Sequence, residues 1–300
     1  MSSTPSCHFR HAALVGKYQA RGIRPILEEV AHLLARAGLD VSLESETASN
    51  TGMTEYPALD IREIGRQCDV AVVVGGDGTM LAIARELAPF NIPLIGINQG
   101  RLGFMTDIAL KEVNTTLPLM LRGEYEEDCR AMLAGAVLRP IRGGGFETIY
   151  DGFAINEVLV SRGATASMVE LRAEIDGQFV ANYRADGLLV SSPTGSTAYA
   201  MSAGGPIMHP ALGGWVIVPI ASHTLSNRPL VVSDNVTITI EIVAGKDAGM
   251  NFDMQSLTSL LHGDRVTVRR SDHHVRFLHP KGWNYYATLR RKLRWNEGVS

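Results

Sequence analysis

Cysteine is scarce in this chain of 300 residues: Cys7, Cys68 and Cys129 are odd in number, widely spaced and without a CxxC pair. This excludes a disulfide framework or a zinc knuckle and points to a reducing, cytoplasmic setting. Long apolar runs are missing too. No segment approaches the ~20 apolar residues of a spanning helix, and His8, Arg10 and His11 interrupt the stretch that a signal peptide needs. Neither sign of charge dominates, since 28 Lys and Arg stand against 31 Asp and Glu, so there is no basic surplus for a nucleic-acid backbone. The histidines, among them His209, His223, His262, His273, His274 and His279, show no metal-ligand spacing. They read as structural or exposed, and no metal is assigned to protein ligands. Internal repeats and low-complexity tracts are also lacking. What remains is a globular composition, 45% apolar, with length for two domains. The expected partners are small molecules and copies of the chain itself, with no nucleic acid and no membrane.

The first part alternates short apolar runs with amphipathic stretches. His11 to Gly16 reads as a strand, and Ile26, Leu27, Val30, Leu33, Leu34 and Ala37 recur at helical spacing before Gly38. Val41 to Glu46 alternates like a strand, Asp60 to Gln67 looks helical, and Val70 to Val74 suits a parallel strand buried on both faces. A helix over 80–87 and a strand over 93–97 follow. Such repeated units predict a Rossmann-like α/β domain over 1–140 with a parallel sheet. Beyond it the chain breaks into short runs rich in Val, Ile and Thr, with Asp176-Gly177 as a hairpin turn. An all-β, sandwich-like domain is predicted over 141–280. A closing amphipathic helix over 281–300, carrying Tyr286, Leu289 and Leu293, is expected to pack back on the first domain.

The stretch VVVGGDGT, residues 72–79, sets a carboxylate among glycines where a buried strand ends. Glycine-rich backbone at the carboxyl edge of a parallel sheet, followed by a helix, is suited to phosphate. The stretch is not GxGxxG, and Gly16-Lys17 lacks the upstream glycine of a Walker A loop. A tight βα turn accounts for one or two of the small residues but leaves the acid unexplained. An acid beside phosphate is repelled by it unless a proton or a metal intervenes. Asp77 is therefore the candidate base, accepting the proton of a hydroxyl that attacks a terminal phosphoryl group while magnesium neutralises the nucleotide.

Further along, SSPTGSTAYAMSAGGP over 191–206 packs hydroxyls around turn glycines, either as a donor-rich binding loop or as a capped turn before a short helix. Asn156-Glu157 interrupts an apolar strand region, and a buried glutamate needs a ligand, a metal or a cation, unless the pair faces outward on an edge strand. Arg184, two residues before Asp186, suits either a bidentate phosphate contact or an exposed ion pair. Tyr199 is either a site aromatic or a core one.

Taken in order, GGDGT at 75–79, Gly96-Ile97-Asn98 with Gly100, Leu102, Gly103 and Phe104, Asn156-Glu157, Arg184 to Gly187, PTGSTAY at 193–199 and Gly204-Gly205-Pro206 span nearly the whole chain. This set resembles the bacterial-type NAD kinases, although GGDGT alone also occurs in diacylglycerol, sphingosine and phosphofructokinase-like enzymes. The resemblance implies the two-domain NAD kinase fold and transfer of the ATP γ-phosphoryl group to the 2′-hydroxyl of the adenosine ribose of NAD, giving NADP. It implies Asp77 as the catalytic residue, with Gly75, Gly76, Gly78 and Thr79 at the ATP phosphates. NAD is expected at Asp77, Gly78, Asn156, Glu157, Arg184, Asp186, Thr197, Ala198 and Tyr199, continuing through Ala200, Met201 and Ser202, and at Gln255. The family often has Asp-Gly-Gln where this chain has Asp253-Met254-Gln255, so the backbone there is expected to differ. Magnesium or another divalent ion with ATP, and homo-oligomers (tetramers or dimers) contacting through the β-rich domain, are implied as well. A lipid kinase of the diacylglycerol kinase type would need an acyl cavity or an interfacial helix, for which only YYATLRRKLRW offers itself. A non-catalytic dinucleotide sensor would keep the binding residues and lose Asp77.

Overall fold

The computed structural model describes residues 8–17, 22–100, 103–163 and 168–295. Cys7 and Leu102, named above, lie outside them. In chain order the elements of the first half are β1 (His11–Gly16), α1 (Arg24–Arg36), β2 (Asp40–Glu44), α2 (Ser45–Thr51), β3 (Ala58–Leu59), α3 (Ile61–Gln67), β4 (Val70–Gly75), α4 (Asp77–Leu87), β5 (Leu94–Asn98), β6 (Ile108–Ala109), α5 (Val113–Leu121) and β7 (Tyr125–Pro140). There follow β8 (Phe146–Ala154), β9 (Glu157–Ser161), β10 (Val169–Ile175), β11 (Gln178–Ala185), β12 (Gly187–Ser191), α6 (Tyr199–Ser202), β13 (Gly214–Ile220), β14 (Leu230–Ser233), β15 (Ile238–Ala244), β16 (Gly249–Phe252), β17 (Ser256–Ser259), β18 (Arg265–Pro280) and α7 (Tyr285–Leu293). The chain divides into two compact units, Met1–Cys129 with Val275–Ser300, and Arg130–His274.

The first unit is built on a parallel sheet in the order β3-β2-β1-β4-β5, with β6 and the end of β18 both beside β5. Every residue of β4 is buried, as its unbroken apolar run requires. α1 turns Leu27, Val30, Ala31, Leu33 and Leu34 inward, and the chain leaves it through Gly38 at φ +90°. α3 starts on a capping box between Asp60 and Glu63. Two boundaries differ from the sequence reading. β2 stops at Glu44, whose carboxylate accepts from the amides of Glu46 and Thr47 and starts α2. Glutamate is an uncommon cap, so the alternating pattern hides that helix. α4 begins at Asp77 instead of Met80, which makes the Gly-Asp-Gly-Thr segment a helical first turn. α7 is capped by the Asn284 side chain and buries Tyr285, Thr288 and Leu289.

The second unit is a sandwich. One sheet runs β14-β13-β12-β9-β16-β17, antiparallel throughout. In the other, β11, β10, β15 and β18 pair antiparallel in that order, and β7 and β8 form a long hairpin. Val158, Val160, Leu188, Val190, Trp215 and Ile217 of the first face Leu171, Ala173, Ile238, Ile240, Val266 and Val268 of the second in one buried core. The α/β first unit and β-rich second unit match the fold class read from the sequence.

Asp176-Gly177 turns the β10–β11 hairpin with both residues at positive φ. The β16–β17 hairpin does the same with Asp253 at φ +50° and Met254 at φ +56°. A left-handed Met is strained by its Cβ, whereas glycine suits the second position of such a turn. Met254 is exposed at 57%, so little apolar burial is lost on truncation. Met254→Gly is therefore expected to stabilise the protein by roughly 0.5–1 kcal/mol, after the extra chain entropy of glycine is deducted. An unfolding midpoint in urea that fails to rise would remove the strain assignment.

Candidate active site

In the first unit the site is organised by one carboxylate. Asp77 Oδ1 accepts from the amides of Met105 (3.1 Å) and Thr106 (3.2 Å) and from the Thr106 hydroxyl (3.1 Å). Oδ2 accepts from the amide of Phe104 at 2.7 Å. The Thr106 hydroxyl can donate in this direction because it accepts from the Asn98 amide group at 2.8 Å. Asn98 also accepts from the amide of Gly100 at 2.6 Å. A carboxylate with four donors has a fixed orientation, and the loading is unequal: three donors on Oδ1, one on Oδ2. Oδ2 keeps an acceptor position for an incoming hydroxyl.

Close approach dictates several glycines here. A Cβ on Gly103 would lie 1.8 Å from Asp77 Oδ1, and one on Gly96 would meet the Met105 carbonyl at 2.6 Å. Gly75 packs against Thr79, whose hydroxyl would be 2.8 Å from an added Cβ. Gly76 and Gly78 differ: among the described residues nothing lies within 4 Å of a Cβ built on either, and neither has positive φ. Among the described residues, packing and backbone conformation thus set no requirement for glycine at these two positions, and backbone without side chains at a helix start suits the approach of an anion. The sheet order reverses between β1 and β4, and the glycine loop leaves the carboxyl end of β4 beside that reversal.

In the second unit Asn156 and Glu157 are buried at 8% and 3% exposure. Asp253 holds the backbone in front of them: its carboxylate accepts from the amides of Ile155 (2.9 Å), Asn156 (2.7 Å) and Glu157 (3.1 Å). The PTGST loop closes over the same segment, with the Ser192 amide donating to the Asn156 carbonyl at 2.8 Å. Gly195 comes so near that an added Cβ would be 2.2 Å from that carbonyl. Asn156 Oδ1 and Glu157 Oε2 are buried with no hydrogen-bond partner among the described residues. Such buried polar oxygens call for a ligand that hydrogen-bonds them. Burial, with the nearby Asp253 charge second, pushes the Glu157 carboxyl up to about 8.

The remaining predicted residues divide by position. Thr197, Ala198 and Tyr199 are half-buried and lead into α6, and the Thr197 hydroxyl donates to the Thr194 carbonyl. Ala200 is fully buried in a small core with Leu159, Leu189, Val216 and Val218. Met201 is half-buried, and Ser202 is exposed. Gln255 is exposed and closes the Asp253-Met254 turn through its amide to the Phe252 carbonyl. Arg184, on β11, is exposed with Glu170 at 3.9 Å, and Asp186 pairs with Arg162 at 2.7 Å. β12 joins the two groups: Ser191 lies opposite Glu157 and Gly187 opposite Ser161. At ~3.3 Å per residue, Asp186 is roughly 16 Å along the strand from Glu157. Within one chain these two groups stay apart. The sequence reading did not assign functional roles to Asn98 and Thr106, the amides of 104–106, or Asp253. The only signal for the amides was that an acid among glycines needs donors.

The segment 13–125 matches the family described as ATP-NAD kinase N-terminal domain, and 155–280 matches ATP-NAD kinase C-terminal domain. An NAD kinase of Polaromonas sp. is 64% identical over 97% of this chain and 99% of its own length. An NAD kinase of Methylibium petroleiphilum is also 64% identical, over 97% and 96%. Among solved structures, an Archaeoglobus fulgidus NAD kinase in complex with ATP superimposes with a TM-score of 0.72 at 26% identity, covering 95% of this chain and 98% of that one. Yeast NADH kinase complexed with NADH shares the fold, with a TM-score of 0.85 at 20% identity over 98% and 90%.

Proposed function

The chain belongs to the NAD kinase family and catalyses ATP-dependent phosphorylation of NAD, and from that premise we propose how its residues carry the reaction. Asp77 Oδ2 takes the proton of the adenosine ribose 2′-hydroxyl. The 2′-oxygen forms a bond to the γ-phosphorus, the β–γ bridging bond breaks, and ADP leaves with its electron pair. The observation that carries this reading is the four-donor fixation of Asp77 in the first turn of α4, at the end of the glycine-rich segment. Gly75, Gly76, Gly78 and Thr79 would receive the ATP phosphates at the start of α4, where backbone amides and the helix dipole favour anions. Among the described residues no group of three or more His, Cys, Asp or Glu could hold a metal ion. Magnesium or another divalent ion is accordingly read as arriving with ATP, and no step is derived from it.

The second unit, in this proposal, recognises the dinucleotide. Asn156 and Glu157 offer acceptors to ribose hydroxyls and amino groups, joined by Thr197, Ala198 and Tyr199, with Ala200, Met201, Ser202 and Gln255 as expected neighbours. The 16 Å offset and the exposure of Arg184 support giving Arg184 and Asp186 to a dinucleotide held by a second copy, in a homo-oligomer formed through the β-rich unit. Arg184→Ala should then raise the KM for NAD by about ten-fold or more, the size of a lost charged hydrogen bond, without moving the melting temperature. An unchanged KM would remove Arg184 from the site. Among the described residues no helix is long and apolar enough to cross a membrane. Cysteine usage supports a cytoplasmic setting.

Purified protein with ATP, magnesium and NAD tests the whole reading by chromatography of the products. NADP and ADP in equal amounts are expected. ADP without NADP, or phosphorylated lipid from vesicles with NAD untouched, would overturn it.

A further inference from the structure

Behind the Asp77 loop lies a histidine that the reaction as written leaves unused. His279, near the end of β18, is 1% exposed. Its Nδ1 lies 2.9 Å from Asp107 Oδ2, and its Nε2 is 3.4 Å from Asp128 Oδ2. The Trp283 indole covers one face of the ring, stacked at 4.0 Å and 7°. Asp107 and Asp128 are themselves 5% and 17% exposed at their side chains. Nδ1 hydrogen-bonds Asp107, whereas Nε2 lies at ion-pair distance from Asp128 without a hydrogen bond, so the place of the ring between two carboxylates favours imidazolium. Taking a cation and two carboxylates out of water costs several kcal/mol per ion, and core packing alone does not call for it.

Position connects the cluster to the chemistry. Asp107 follows Thr106, whose amide and hydroxyl both donate to Asp77 Oδ1. The 103–107 loop is tied at two adjacent residues, by the Asn98 bond to the Thr106 hydroxyl and by Asp107 on His279. We propose that His279 is a positioning residue: held between Asp107 and Asp128, it fixes the loop whose amides and hydroxyl orient the Asp77 carboxylate. The inference rests on the reading of Asp77 as the base.

The charged groups facing the ring are Asp107, from the loop before β6, and Asp128, from β7; Trp283 and, from its own strand, Phe277 supply aromatic contacts. Burial opposes the charge on His279, but hydrogen bonding and attraction to the two aspartates outweigh it, and its pKa lies above the ordinary 6.5. The charge that attracts Asp128 is therefore lost as pH rises through that raised value, and the neutral ring keeps only its Nδ1–H bond to Asp107.

The test uses the full-length enzyme. His279→Gln and Asp107→Asn should lower kcat by about ten- to a hundred-fold, the cost of a misplaced catalytic group, with KM for NAD within two-fold. The wild-type kcat should show an alkaline decline that is absent in His279→Gln. In Asp128→Asn, which removes one of the two charges, that decline should move to lower pH, and the NMR titration of the His279 ring should move with it. Unchanged kcat in the first two variants, or an alkaline decline unmoved in Asp128→Asn, would overturn the proposal. If His279→Gln does not fold, the Asp128→Asn profile still decides. Wild-type enzyme that makes no NADP would instead overturn the reading of the reaction itself.

Discussion

Asp77→Asn is expected to lower turnover by roughly two to four powers of ten, the usual size of a lost acid–base group, while NAD binding changes by a few-fold. The structure adds a second consequence. An asparagine has one acceptor oxygen and one amide nitrogen, whereas both carboxylate oxygens of Asp77 accept from N–H groups. In either orientation of the amide, an N–H meets another N–H. Placing the amide nitrogen at Oδ2 sacrifices one bond, to Phe104; the opposite placement sacrifices two, to the amides of Met105 and Thr106, since the Thr106 hydroxyl can accept instead. The variant should take the first orientation and lose about 1–3 kcal/mol of stability, the cost of one unsatisfied donor and its partner. The loss of turnover far exceeds what that destabilisation explains in a folded enzyme at 25 °C. Single-turnover kinetics with ATP and NAD separate the two effects. Near-normal phosphoryl transfer in a variant with a lowered melting temperature would leave Asp77 as an anchor for the 104–106 amides and nothing more.

The second large effect concerns Glu157 and pH. Its carboxyl is pushed from the ordinary 4.5 to about 8, first by burial and then by the Asp253 charge. In the folded protein it stays protonated at pH 7, but in the unfolded chain it ionises above 4.5. Folding then takes up a proton between these values. This contribution to stability is fully present below pH 4.5 and is lost as pH rises to about 8, at ~1.4 kcal/mol per pH unit and roughly 5 kcal/mol in all. Glu157→Gln should abolish that slope, so near pH 8 the variant is expected to be more stable than wild type by several kcal/mol. Urea unfolding at pH 5, 6.5 and 8 measures it. A difference between variant and wild type that does not grow with pH would mean that Glu157 is not buried as a neutral acid. Ligand binding should run the other way, because ribose hydroxyls and amino groups donate to a carboxylate better than to a carboxyl. NAD binding is therefore expected to release a proton, measurable by calorimetry in buffers of different ionisation enthalpy. In the proposed role, the residue is kept despite its cost in stability because it meets the dinucleotide.

Both variants act where local sequence rules are broken. The regular elements of the first unit follow from pattern: the unbroken apolar run of β4, the helical spacing of α1, the capping box at Asp60 and Glu63. The hairpin at Asp176-Gly177 and the β-rich texture of the second unit are as direct, because period and turn chemistry are local properties of the chain. α2 escaped because its cap is a glutamate at the end of an alternating strand. The glycines also looked alike in sequence. Only contact distances separate Gly103, which must admit the Asp77 carboxylate, from Gly76 and Gly78, where no described residue comes within 4 Å of an added Cβ.

By itself, the sequence determined the two-part architecture, the acid among glycines and the family, because composition, periodicity and ordered motifs do not depend on what lies nearby in space. It could also name the candidates Asp77, Asn156 and Glu157. Only the tertiary structure decided how they are held: Asp77 by amides 27 to 29 residues away, Asn156 and Glu157 by a carboxylate nearly a hundred residues on, and the loop before β6 by His279 from the far end of the chain. It also set Asp186 at the opposite end of β12 from Ser191, the residue paired with Glu157. Hydrogen-bond donors at such separations, and the burial that shifts a carboxyl toward neutrality, arise only when distant segments pack, and no local pattern encodes them.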